Sequence, residues 1–132
     1  MFKNLFIVAI TMLLIGCSGQ PIYNLENEYV PTGINGESAS LEQVKKAIIV
    51  GSKKRGWSPR VVKSGVIESR LLVRSHRAVV EISYSENSYS IRYVDSFNLD
   101  YKNGKIHKKY NLWVAKLSSS IQRELGVRAQ QY

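Results

Sequence analysis

The sequence predicts an α+β fold, a two-layer sandwich in which a three-stranded antiparallel meander and a short hairpin carry two helices on one face. Three observations predict it. Apolar residues at helical spacing open the domain near Leu41, the hydrophobic period switches to two between Val66 and Val94, and helical spacing returns from about Lys109 to Leu125. Each helix then has one apolar stripe and the sheet one apolar face, and stacking them as two layers buries all three.

The front of the chain does not belong to that domain. After Met1-Phe2-Lys3-Asn4 come the eleven residues Leu5 to Ile15, interrupted only by Thr11. A bilayer-spanning helix needs about 20 apolar residues. One early positive charge, a short apolar core and a small residue before a break describe a secretory signal peptide instead. The usual small-x-small cleavage site is absent, and Leu14-Ile15-Gly16-Cys17 stands in its place.

That tetrapeptide resembles the lipobox of bacterial lipoproteins. The resemblance implies a signal peptide over 1–16, a diacylglycerol thioether on Cys17, cleavage before Cys17 and an N-acyl chain on the new amine. Each buried methylene is worth about 0.8 kcal/mol and one chain holds only weakly, so several chains on one residue make a durable anchor. In bacteria with two membranes, Ser18 rather than Asp after the cysteine implies the outer membrane. Cys17 is the only cysteine, so with its sulfur alkylated the mature chain has no thiol for a disulfide or a thiolate metal site.

Residues 17–37 are expected to be the lipidated N-terminus and a tether. Pro21, Pro31, Gly33 and Gly36 break any period, and a flexible coil of this length reaches on the order of 25 Å. Ile22, Tyr23, Leu25, Tyr29 and Val30 are stickier than a Gly/Ser spacer and leave room for part of it to dock.

The folded domain is expected over 38–126. Ser40-Leu41-Glu42-Gln43 is a capping box, Leu41, Val44, Ala47 and Ile48 form the first helical stripe, and Gly51 is expected to end that helix. Lys53-Lys54-Arg55-Gly56-Trp57-Ser58-Pro59 reads as a basic turn holding an aromatic. Ile67, Ser69, Leu71 and Val73 then alternate with Glu68, Arg70, Leu72 and Arg74. Val80, Ile82 and Tyr84 alternate with Val79, Glu81 and Ser83, and Tyr89, Ile91 and Tyr93 with Ser90, Arg92 and Val94. Short turns at 75–77 and 85–88 make these three strands a meander, with one apolar face and one carrying mixed charge toward water. Asn103-Gly104 signals a type I′ turn and hence the short hairpin. Tyr110, Trp113, Val114, Leu117, Ile121 and Leu125 line the last helix. Gly126 is expected to close it, leaving 127–132 frayed.

The net charge of +9, or +8 without Lys3, is strongly basic. Outside the cytoplasm such a surface meets lipid phosphates, lipopolysaccharide or wall polymers, and the export signal argues against nucleic acid. Lys102, Lys105, Lys108 and Lys109, interleaved with Tyr101, His107 and Tyr110, form the densest cluster; Lys53, Lys54 and Arg55 beside Trp57 form a second. Lysines that stay wet while their aromatic neighbours turn inward would look the same in sequence. His107, with Asp95 or Asp100 to orient it, is the candidate general acid or base, set against a histidine that only binds backbone at the start of the last helix. His76 reads as an exposed turn residue, and Asn98 and Asn111 as residues that tie down the irregular 95–108 segment. Ser118, Ser119 and Ser120 lie in a helix without a nucleophile elbow. Two histidines without a free cysteine do not make an ordinary structural zinc site, and no cofactor is expected beyond the lipid on Cys17.

The run Tyr89-Ser90-Ile91-Arg92-Tyr93, with Asp95-Ser96, Asn98-Leu99, Tyr101, Ile106-His107, Tyr110-Asn111 and Trp113, resembles a set of small proteobacterial lipoproteins of unknown function. It implies one α+β domain behind a lipid anchor and brings no catalytic residues. The expected function is therefore that of an outer-membrane-anchored periplasmic lipoprotein, a non-enzymatic binding or structural component of the envelope. Its contact surface would be the polar sheet face, Arg92 included, or the basic segment Lys102, Lys105, His107, Lys108 and Lys109; its partner an envelope protein, lipopolysaccharide or wall polymer. The alternatives are a wall- or lipid-active enzyme using His107, and a binder of anionic glycan or lipopolysaccharide through the basic hairpin. Nothing in the sequence specifies an oligomeric state. A Cys17→Ser variant is expected to lose acyl labelling and to be processed slowly or not at all, as metabolic labelling with a fatty acid and the mass of the product will report.

Overall fold

The computed structural model describes residues 19–130; the expected signal peptide, Cys17, Ser18 and the last two residues lie outside them. Two strands come first, β1 (Gln20–Pro21) and β2 (Leu25–Tyr29), inside the segment expected to be a tether. Helix α1 (Leu41–Lys54) starts at the capping box. The Gln43 N–H donates to the Ser40 hydroxyl at 3.1 Å and the Ser40 N–H to the Gln43 side chain at 2.8 Å, satisfying two orphan donors of the first turn.

Four strands follow: β3 (Ser58–Lys63), β4 (Val66–Val73), β5 (His76–Tyr84) and β6 (Ser88–Phe97). The chain ends with β7 (Lys105–Ile106) and α2 (Lys108–Ala129). The main sheet has five antiparallel strands in the order β2-β6-β5-β4-β3, and β1 pairs with β7 in a separate two-stranded sheet. The expected meander is its centre, β4-β5-β6. The two edge strands are additions, and each is locally disguised. In β3, Pro59 and a run of exposed residues hide the alternation, which an edge strand tolerates. In β2, Asn27 takes a φ of +53° and the register shifts between Leu25 and Glu28, so a bulge breaks the period of two.

The expected turn at Asn103-Gly104 is present, with φ of +52° and +73° and a reciprocal pair of backbone hydrogen bonds between Lys102 and Lys105, as a type I′ turn requires. Its second arm is β7.

Both helices cover the apolar face of the sheet. Val44, Ala47 and Ile48 from α1 and Val114, Leu117 and Ile121 from α2 share one core with Ile67, Val80, Ile82, Tyr89 and Ile91. Tyr89 reaches across that core to α2, its hydroxyl 2.7 Å from the Ser118 hydroxyl, and its burial raises its pKa.

Two helix ends differ from expectation. Gly126 does not close α2, which runs on to Ala129; its φ is not positive, and one helical glycine costs only about 1 kcal/mol. Gly51 does not close α1 either. A Cβ at Gly51 would lie 2.9 Å from both Cα and N of Ile121, and the Ser120 hydroxyl donates to the Gly51 carbonyl at 2.8 Å. Gly51 is thus the point where the two helix backbones meet. A Gly51→Ala variant gains up to about 1 kcal/mol in helix propensity, but overpacking of a tight contact costs about 1–3 kcal/mol. The expected net result is a lower urea midpoint with an unchanged slope.

Candidate functional site

Residues 19–30 form a strap that is bound along its length. Gly19 lies directly on Ile106, so close that a Cβ would sit 2.7 Å from the Ile106 carbonyl oxygen. The Ile22 N–H donates to the Gly104 carbonyl at 2.9 Å. Asn111, in the first turn of α2, accepts from the Tyr23 N–H at 3.1 Å and donates to the Pro21 carbonyl at 3.0 Å. Asn24 accepts from the Tyr93 N–H, and the Asn27 N–H donates to the Ser90 hydroxyl, both at 3.0 Å. Gln122 of α2 donates to the Tyr29 carbonyl at 3.1 Å. Val30 then enters the core.

Asn111 was expected to hold the 95–108 segment and instead holds Gln20, Pro21 and Tyr23. Asn98 does what was expected of it, donating to the Ser75 hydroxyl at 2.9 Å. The strap residues Asn24 and Glu26 escape a reading of the sequence because their partners are about 66 to 69 positions away and no local pattern links them.

The lysine cluster lies beside the same segment. Lys105 is the register partner of Pro21, and Ile106 that of Gln20. Lys102, Lys105, Lys108 and Lys109 are all exposed, and none has an acidic partner within ion-pair distance among the described residues. Lys108 and Lys109 open α2, whose first turn contains no acid.

Arg92 is elsewhere. It neighbours Tyr93 along β6, so the two side chains leave opposite faces of the sheet. The Tyr93 ring stacks on Tyr101 of the lysine segment at 4.8 Å, while Arg92 grips Glu26 of β2 with two hydrogen bonds of 2.9 and 2.7 Å on the open face. That hydrogen-bonded guanidinium holds the Glu26 carboxyl below its ordinary value. The open face as a whole neutralises itself: Glu68 lies between Arg70 and Arg60, its carboxyl likewise lowered first by the Arg70 hydrogen bond, and Arg77 pairs with Asp95 at 2.9 Å. At one end of this face Leu72 and Phe97 are exposed on either side of Arg77, their register partner.

His107 is the N-cap of α2, its Nδ1 accepting the Lys109 N–H at 3.1 Å. No hydrogen bond joins it to Asp95 or Asp100 among the described residues: Asp95 is held by Arg77 on the other face of the sheet, and Asp100 is exposed. His76, expected in a turn, begins β5; its Nδ1 lies 2.7 Å from the Asn98 carbonyl and its ring 6.3 Å from Trp113. Trp113 packs against the core, as does Trp57 from the second basic cluster. Between the end of α1 and the side of α2, Lys54, Arg55, Lys116 and Arg123 line an open groove of about 410 Å³ together with Ser119 and Ser120. Among the described residues, no three His, Cys, Asp or Glu side chains converge as metal ligands would.

Comparison of the chain with protein families, with curated proteins and with solved structures gives no match. As a helix cap, His107 is replaceable by a better cap: His107→Ala is expected to lower stability by about 1 kcal/mol and His107→Asn to recover most of it, read from urea denaturation of the three proteins.

Proposed function

We propose that this chain is an outer-membrane-anchored lipoprotein whose domain stands in the periplasm and serves as a non-enzymatic binding or structural component of the envelope. The observation that supports this most is the strap. A lipid on Cys17 would be joined through Ser18 to a residue already packed on Ile106, so the anchor would hold a folded body at the bilayer rather than release it on a coil. The single histidine near the lysine cluster is engaged as a helix cap, which favours binding over acid–base chemistry.

The open sheet face is the surface for an envelope partner. Most of its charges are paired within the face, and Leu72 and Phe97 stand exposed at one end. Exposed apolar side chains set among charges that are already paired are groups that a protein partner can bury. A second reading, recognition of an anionic glycan or lipopolysaccharide, is supported by the groove between Lys54, Arg55, Lys116 and Arg123, where Glu124 pairs with one cation out of four.

The two readings separate in one experiment on the acylated protein, crosslinked in membranes and then gently solubilised. The first expects an envelope protein to be recovered with the wild-type chain and lost with Leu72→Ser, Phe97→Ser. Recovery of the chain alone would refute it, whereas co-purification of lipopolysaccharide or wall polymer that falls away with added salt would favour the second.

A further inference from the structure

We infer that the Lys102–Lys109 segment is a second membrane contact, a docking surface for the anionic phospholipid headgroups of the leaflet that holds the anchor. This rests on the lipid-anchor reading of Cys17. It adds to it an orientation of the domain and a lipid chemistry.

Cys17 is two residues from Gly19, and an extended chain spans at most about 3.6 Å per residue. Gly19 is in contact with Ile106. An acylated Cys17 is therefore held within roughly 12 Å of the β7 backbone. Lys105 is in β7, Lys102 faces it across the Asn103-Gly104 turn, and Lys108 and Lys109 follow within three residues of Ile106. A lysine side chain adds several ångströms more, so no lysine of this group can be far from the surface in which the acyl chains are buried.

The open sheet face balances most of its own ions, but the four lysines here have no acid within their segment, Asp100 lying just before it, and no ion pair among the described residues. Such a group placed within a Debye length of an anionic surface, about 8 to 10 Å at physiological salt, is attracted to it. Each lysine there is worth roughly a fivefold gain in partitioning.

Aromatic side chains accompany the lysines. Tyr23 in the strap and Tyr101 beside the turn are exposed. A tyrosine has an apolar ring and a polar tip, and such side chains settle at headgroup depth. Tyr101 is braced there by its stacking on Tyr93.

A docked domain is held at two places, by the acyl chains and by the lysines. The open face lies on the other side of β6 and stays free for a partner. A flexible tether would give neither property.

The test uses the acylated full-length product, in which a consumed Cys17 thiol leaves an introduced cysteine as the only reactive one. A spin label is placed at Lys105→Cys, and separately at Ser64→Cys in the turn at the opposite end of the sheet, roughly 20 Å away. Each is read in vesicles of phosphatidylethanolamine with and without phosphatidylglycerol. The expected result is headgroup contact at 105 but not at 64, dependent on phosphatidylglycerol, and lost in about 0.5 M salt or when Lys102, Lys108 and Lys109 are changed to Gln. Contact at 105 that ignores lipid charge, salt and the lysines would overturn the docking surface while leaving the anchor intact. Mass spectrometry of the same sample tests the anchor by itself: an unmodified Cys17 would overturn both.

Discussion

Strand β6 cannot be left as an edge. Its core-facing residues Tyr89 and Ile91 are fully buried, and without β2 its outward hydrogen-bonding row would lie open along a strand of ten residues. An unpaired edge of that length next to an apolar core is an invitation to pair with another chain. Residues 25–29 close its first part, opposite Ser88 to Ile91, from within the same polypeptide. The pairing is imperfect, and its interruption at Asn27 is bridged by side chains: Ser90 takes the Asn27 N–H, Asn24 takes the Tyr93 N–H, and Arg92 takes Glu26. From β2 back to Gly19 the chain runs along the start of α2, where Asn111 and the β7 backbone receive it. Gly19, two residues from Cys17, is thus held on Ile106 by a run of contacts continuous with this edge.

The same constraint sorts the positive charge. On the open face, cations and anions alternate across neighbouring strands, and their exposed pairs contribute little to stability. Their effect is to leave that face nearly neutral. The helix side is different. The unpaired lysines gather where the strap meets α2, and the groove beside the end of α1 collects four more cations against one acid. A net charge that looked like a general property of the chain is concentrated on two parts of one side.

How much of this could be read from the sequence depends on how local each signal is. The capping box, the type I′ turn and the alternation of β4, β5 and β6 rest on residues a few positions apart, and each was legible. The two edge strands were not, because a strand at an edge is free to carry Pro59 or a bulge at Asn27 and so loses its period. Gly51 was misread because a glycine after an apolar stripe looks the same whether it ends a helix or admits a second one; only Ile121, 70 residues later, distinguishes the cases. Asn111 was recognised as a tie but assigned to the wrong strand of chain, since its partners lie about 90 residues earlier. His107 was legible in one of its two readings: its neighbours in sequence suggested chemistry, but a histidine binding backbone at the start of the last helix was also expected, and that is the cap its hydrogen bond shows.

Hydrogen exchange of the acylated protein, resolved to single amides, tests the strap most directly. If residues 19–30 are part of the fold, the amides of Ile22, Tyr23, Asn27 and Val30, each bonded to a partner far along the chain, exchange slowly and together with neighbouring amides of β6. Exchange of those four at the rate of an unstructured peptide, with β6 still protected, would mean that the segment is a tether after all.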